Sequence, residues 1–69
     1  MSFHRAITVT KADIANHADI YYRLSQLSSK VEETDDEYVF HPLPSQTLLM
    51  LVMLKDENFQ HKLVNLSLH

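Results

Sequence analysis

Five histidines are the side chains of this sequence best suited to acid–base chemistry or metal binding: His4, His17, His41, His61 and His69. No two of them are four residues apart, the spacing at which one helical turn holds a metal between two ligands. A zinc site would instead need His41 and His61 to meet across neighbouring strands, with an Asp or Glu as a further ligand. We predict no metal site and no bound cofactor.

The serines are not placed as nucleophiles. The chain contains no glycine, so no serine has the glycines of a nucleophile elbow, and phosphate-binding loops that need glycine are excluded too. It contains no cysteine, which excludes disulfides, thiol catalysis and thiolate metal sites. We predict that the protein is not an enzyme. Turns that need a positive φ must use residues such as Asn58, because Asn and Asp tolerate that region better than other residues.

Carboxylates are concentrated between positions 32 and 37, where five of six residues are acidic: Glu32, Glu33, Asp35, Asp36 and Glu37. The mutual repulsion of these charges predicts a solvated loop. Such a loop is either plain solvated surface or a contact for a basic surface of a partner, including one that normally holds nucleic acid. The run lacks the spacing and the glycine of a calcium-binding EF-hand loop. Our functional hypothesis takes these five residues as partner-binding.

The overall charge favours a protein partner over direct binding to nucleic acid. Six Lys and Arg stand against nine Asp and Glu, for a formal net charge of −3, whereas nucleic-acid binding relies on cations that neutralise phosphates. The first ten residues contain no apolar segment typical of a signal peptide. The longest apolar run has seven residues, and about 20 are needed to span a bilayer. We predict a soluble, cytoplasmic protein with no membrane partner.

A chain of 69 residues forms one domain with a thin core. We therefore treat residues 1–69 as a single small domain. Alternating apolar and polar residues, many of them β-branched, predict a strand over residues 5–10. Thr10 with Asp13 is an acidic variant of the capping box, which predicts that a helix begins at Lys11.

Apolar residues recur at three- and four-residue steps from Ile14 to Val31. This spacing predicts one amphipathic helix of about five turns, ending near Ser29 or Lys30. Further along, strand-forming residues at positions 38–41 are followed by prolines. They predict a short strand at an edge of the sheet, where proline is tolerated.

The segment Leu48–Leu54 supports two interpretations. It is apolar throughout and has no periodicity, and its Leu and Met residues favour a helix. However, turn-type residues at 55–58 follow it, and then a strictly alternating run at 64–68, a pattern typical of a β-hairpin. We favour the hairpin. The predicted architecture is α+β in the order strand-helix-strand-strand-strand, with one long N-terminal helix packed on a small, mostly antiparallel sheet.

The same segment is the predicted interface. In a strand, Leu49, Leu51 and Met53 would share the face that a single helix leaves open, and contiguous exposed apolar surface usually marks an interface. If the segment is helical, it is apolar on all sides and would also need burial by a partner. Alternatively, the N-terminal strand and the loops cover it within the monomer.

These features predict a non-enzymatic protein-binding module, a small inhibitor or adaptor that occupies a surface of a larger partner. The alternative is a homodimeric structural or assembly protein with residues 48–54 as its interface. In its size, its acidity and its lack of cysteine, the chain resembles phage-encoded inhibitors of host defence such as anti-CRISPR proteins. That resemblance implies an action by covering a basic surface or by blocking a subunit contact.

Overall fold

A computed structural model of the protein describes the backbone of residues 2–68 and the side chains of residues 5–64. In chain order the elements are β1 (Ser2–Thr10), α1 (Lys11–Ile14), α2 (Ala18–Gln26), β2 (Ser28–Glu33), β3 (Glu37–Pro42), α3 (Thr47–Asp56) and β4 (His61–Leu68). The strands form one antiparallel sheet in the order β2-β3-β1-β4. Thus β3 lies between β1 and β2, and β1 lies between β3 and β4, as in the split βαβ arrangement. The predicted α+β class and antiparallel sheet are confirmed.

All three helices pack against one face of the sheet. Ile7 and Val9 of β1 point toward the helices and are fully buried, as is Phe40 of the neighbouring β3. The same apolar cluster contains Ile14 of α1, Ile20 and Leu24 of α2, Met50 and Leu54 of α3, and Phe59. The domain therefore has two layers, with its core between the helices and one side of the sheet.

The predicted single long helix is wrong, because the chain leaves the helical conformation around Asn16 and His17. Helix α1 ends at Ile14, and α2 begins at Ala18. His17 has φ −130° and ψ 59°, and its N–H donates to the Ile14 carbonyl at 3.0 Å. The short polar side chain of an Asn competes with helical backbone bonding, which favours a break here. Two short helices result, and each contributes buried residues to the core.

The region after α2 is a strand, where the sequence predicted the end of a helix and an acidic loop. Strand β2 pairs with β3, with Val31 opposite Phe40. Since β3 is an inner strand, its predicted position at an edge is wrong, and the edges of the sheet are β2 and β4. Only residues 34–36 lie between β2 and β3, so the loop predicted for residues 32–37 is much shorter than expected.

Residues Thr47–Asp56 form helix α3, so the strand predicted for residues 48–54 is wrong, and so is the predicted order of elements. Leu and Met favour a helix, and the helix brings Met50 and Leu54, one turn apart, into full burial.

Among the described residues, no helix is long and apolar enough to cross a membrane.

The end of α3 shows how a chain without glycine closes a helix. The Phe59 N–H donates to the Leu54 carbonyl and the Asn58 N–H donates to the Lys55 carbonyl, each at 3.0 Å. These two bonds form a Schellman motif, which needs a residue of positive φ that is usually glycine. Asn58 takes that role with φ 59°, so its predicted positive φ is confirmed, although it ends a helix and does not connect two strands of a hairpin. Among the described residues, Ser45 also has a positive φ, 69°.

The burial pattern of α3 predicts that two leucines contribute very differently to the free energy of unfolding. Leu54→Ala removes a fully buried side chain and should lower the free energy of unfolding by about 2–5 kcal/mol, because it leaves a cavity. Leu48→Ala removes a side chain that is 73% exposed and should change that free energy by about 0.5 kcal/mol or less. Urea unfolding at a low, fixed protein concentration measures both. Equal losses would support a strand, in which residues 48 and 54 share a face.

Candidate functional site

Helix α3 carries apolar side chains on its outer side as well as on its buried side. Leu48 is 73% exposed, Leu49 48% and Val52 47%. Val52 lies one turn after Leu48 and three residues after Leu49, so the three side chains form one patch on the helix. The opposite side holds Met50 and Leu54 in the core. Thus α3 is a core helix whose outer side is also apolar.

Of the three residues predicted to form the interface, only Leu49 lies on the outer side of α3. Leu51 and Met53 are half-buried and pack against the core. A strand would place all three on one face, whereas successive residues of a helix turn by about 100°. Leu48 and Val52 therefore join Leu49 on the exposed side. The signal that could have found them is the helical alternative for the same apolar run.

A groove of about 370 Å³ lies between the outer side of α3 and the start of β4. Its lining comes from Leu48, Leu51, Val52 and Lys55 of α3, and from His61 of β4. The exposed apolar side of the helix is therefore continuous with one edge of the sheet.

Leu63 is a further exposed apolar side chain, on β4 two residues after His61 of the groove. It is 41% exposed and lies opposite Ile7 in the register of β1 and β4, so its side chain is on the helical side of the sheet. We call the patch formed by Leu48, Leu49, Val52 and Leu63 the α3–β4 surface.

Glu32, the first residue of the acidic run, contacts a buried histidine. Its Oε1 lies 2.6 Å from Nε2 of His41 and 3.5 Å from Nζ of Lys30. Lys30 is opposite His41 in the register of β2 and β3, so the three side chains share the sheet face that carries no helix. The hydrogen bond from His41, and then the charge of Lys30, hold the pKa of Glu32 below its ordinary value of 4.5.

Glu33 points to the helical face and anchors the start of α1. Its Oε2 accepts a hydrogen bond from Nζ of Lys11 at 2.7 Å. The Lys11 Nζ also lies 5.4 Å from the ring centroid of Tyr38, within cation–π range. The hydrogen bond to Glu33 raises the pKa of Lys11 above its ordinary value. Glu32 and Glu33 thus make contacts that hold elements of the fold together, one on each face of the sheet.

The other carboxylates of the run lie around the turn between β2 and β3. Asp35 and Asp36 are exposed, and Glu37 is half-buried at the start of β3. The Thr34 N–H donates to the Glu37 carbonyl at 2.8 Å, and the Glu37 N–H donates to Thr34 Oγ1 at 3.1 Å. We call residues 32–37 the acidic hairpin. Its tip alone matches the predicted solvated loop.

Asp13 ties α1 to the start of β4. The Thr10 hydroxyl donates to Asp13 Oδ2 at 2.9 Å, so the predicted pair forms, although the hydroxyl does not cap a backbone N–H. The same carboxylate oxygen accepts the Gln60 N–H at 2.8 Å. The bond from Gln60, followed by that from Thr10, lowers the pKa of Asp13 below its ordinary value.

The fold keeps the two histidines of the conceivable zinc site apart. His41 is on β3 and His61 is on β4, and β1 separates these strands. His17 packs edge-on against Phe59 with 5.0 Å between ring centroids, and His61 Nδ1 lies 2.8 Å from the Phe59 carbonyl oxygen. Within the part of the chain that the structure describes, no three His, Cys, Asp or Glu side chains are grouped to hold a metal. The side chains of His4 and His69 lie outside the described residues.

No protein-family model, curated protein or solved structure matches the chain. The α3–β4 surface and the acidic hairpin are therefore the features from which a function can be inferred.

The fold lowers the pKa of Glu32, so the ionised carboxylate should stabilise the protein at pH values above 4.5, the ordinary pKa of this side chain. The stabilisation should be lost as the pH falls from 4.5 through the lowered pKa of Glu32. Glu32→Gln should then reduce the free energy of unfolding near neutral pH, and its difference from the unchanged protein should shrink toward about pH 3. Urea unfolding across this range measures it. Asp36→Asn, with the same change of charge at the hairpin tip, is the control. A difference that persists unchanged in acid would contradict an ionic origin.

Proposed function

We propose that this protein is a non-enzymatic protein-binding module, a small inhibitor or adaptor that acts by occupying a surface of a larger partner. One observation carries the proposal: the outer side of α3 is apolar and exposed at Leu48, Leu49 and Val52. Contiguous exposed apolar surface usually marks an interface. A helix that is apolar on all sides is normally buried on all sides, so the outer side of α3 is the place for a partner.

The composition of the α3–β4 surface supports this role. Full burial of an exposed leucine or valine such as Leu48 or Val52 contributes up to about 1.5–3 kcal/mol. Lys55 and Asp56 are exposed at the end of α3, where they can form a polar rim around the apolar centre. A surface of this kind favours a protein partner, because nucleic acid is bound chiefly through cations that contact its phosphates.

The acidic hairpin supplies a second contact in this proposal. Asp35 and Asp36 are exposed at its tip, and a cluster of negative charge steers a basic partner surface and orients it. The hairpin adjoins β2 and the groove beside α3 adjoins β4, and these two edge strands are three strand spacings apart, about 14 Å. A partner can then be held by apolar contact and oriented by charge. The phage-encoded inhibitors that the chain resembles in size and acidity suggest the same mode, the covering of a basic surface.

The side chains with catalytic potential favour a non-enzymatic role. Ser25, Ser28 and Ser29 each donate a hydrogen bond to a backbone carbonyl, and His41 is bonded to Glu32. None of these contacts joins a serine hydroxyl to a histidine ring, the pairing that activates a nucleophile.

Capture of a partner from cell lysate by immobilised protein tests the apolar contact. The double variant Leu48→Asp, Val52→Asp should bind the captured partner at least about 30-fold more weakly, because both substitutions place charge at the centre of the interface. Tyr22→Asp is the control for a carboxylate placed on an exposed side chain elsewhere, since Tyr22 is 61% exposed on α2. Capture that is equal for all three proteins would remove the α3–β4 surface from the proposed function.

Charge reversal tests the acidic contact separately. Asp35→Lys with Asp36→Lys should slow association with the captured partner, and the difference from the unchanged protein should fade as salt is raised, because exposed charges are screened. Surface plasmon resonance at several salt concentrations measures the association rate. The same rate for both proteins at low salt would show that the hairpin tip does not contact the partner.

A further inference from the structure

Edge strand β2 carries features that discourage further strand pairing. Three of its six residues are charged, Lys30, Glu32 and Glu33, and its pairing with β3 is irregular between Ser28 and Lys30. Charged side chains and bulges are the means by which natural sheets prevent edge-to-edge association. These features disfavour the pairing of another strand with β2.

Edge strand β4 lacks these features. Its eight residues include no proline and no acidic residue, and Lys62 is its one Lys or Arg. It pairs with β1 in an unbroken register from Val9–His61 to Ser2–Leu68. A regular edge strand of this length, about 27 Å, presents a row of outward N–H and C=O groups to which a further strand can pair.

The exposed apolar surface lies beside this same edge. The groove that contains Leu48 and Val52 reaches β4 at His61, and Leu63 of β4 is exposed on the helical side of the sheet. If the strand that pairs with β4 belongs to another sheet, the helices that pack on that sheet would therefore lie against the outer side of α3. Backbone pairing and apolar burial would occur in one interface.

The distribution of charge favours a second copy as the occupant. No Asp or Glu follows Glu57 in the sequence, and five of the nine acidic residues lie in the acidic hairpin, beside the opposite edge. Two copies that meet at β4 bring together edges with few charges and keep their acidic hairpins at the far ends of the assembly. A contact through β2 would instead bring the hairpins together in a chain of net charge −3, which like-charge repulsion disfavours.

Antiparallel pairing of two identical strands is self-complementary. A two-fold axis perpendicular to the sheet relates the two β4 strands, so each copy makes the same contacts. Such an axis keeps the helices of both copies on the same face of the joined sheet. Contact between the two α3 helices beside the junction would then bury Leu48, Leu49 and Val52 of each copy.

We propose that the α3–β4 surface binds a second copy of this chain, with the two β4 strands paired antiparallel so that the four-stranded sheets form one continuous sheet. This inference rests on the proposed function and assigns its apolar contact to self-association. The acidic hairpins, at both ends of the dimer, are then the surface for a foreign protein. Dimerisation also supplies the stabilisation that cysteine-free chains of this length usually need.

Light scattering coupled to size exclusion, over a range of concentrations, tests the dimer. The unchanged protein should have twice its chain mass of 8.0 kDa. Val52→Lys and Leu63→Lys should each raise the dissociation constant at least about 30-fold, because each places two like charges in the interface. Tyr22→Lys, an equal change of charge on α2, which packs against β2, should leave the dimer intact. Circular dichroism confirms that each variant is folded.

Hydrogen exchange distinguishes pairing at β4 from a contact through helices alone. Backbone amides of residues 61–68 that point away from β1 should become protected as protein concentration rises, because they enter a new strand ladder. The outward amides of β2, in residues 28–33, should exchange at the same rate at every concentration. A dimer without added protection in β4 would overturn the proposed pairing.

The remaining outcomes separate this inference from the proposed function. A monomer at every concentration up to about 1 mM would overturn the inference. Loss of lysate capture in the Leu48→Asp, Val52→Asp variant would then leave the proposed function intact, with a foreign protein on the α3–β4 surface. A dimer that both lysine variants leave unchanged would overturn the inference, because its interface would lie elsewhere. If the unchanged protein is a dimer, both lysine variants are monomers, and these monomers still capture the lysate partner fully, self-association is supported. The foreign partner then does not bind the α3–β4 surface.

Discussion

The pairing of β1 with a strand on each side is the interaction on which the rest of the structure depends. β1 pairs with β3 over residues 7–10 and with β4 over residues 2–9. Its Ile7 and Val9 are fully buried, and apolar residues from all three helices belong to the same cluster. A chain this short has only one core, so a side chain outside that layer has little chance of burial within the monomer.

One layer of helices on a sheet leaves the outer half of each helix exposed, and the helices differ in what they expose. The outer side of α2 includes Arg23 and Gln26, which water solvates well. The outer side of α3 presents Leu48, Leu49 and Val52. These apolar side chains are not needed for the core, which Met50 and Leu54 already fill. They are the observation behind the proposed contact with a partner.

The sheet separates charge from apolar surface by placing them at opposite edges. Near β2 all of residues 32–36 are exposed, but Glu32 and Glu33 also bond to His41 and Lys11. Near β4 the edge has few charges and adjoins the exposed side of α3. One small domain therefore carries an acidic surface and an apolar surface at opposite edges of its sheet.

Local sequence determined the elements whose signals are strong over a few residues: the strands at 5–10, 38–41 and 64–68, and the positive φ of Asn58. Only the tertiary structure decided the break in the first helix, the strand β2 and the helical state of residues 48–54. Strand β2 has one large apolar residue, Val31, so its conformation comes from pairing with β3 and not from periodicity. The 48–54 run is apolar in either conformation, and only the tertiary structure shows that a helix brings Met50 and Leu54, one turn apart, into the core with Ile7 and Val9.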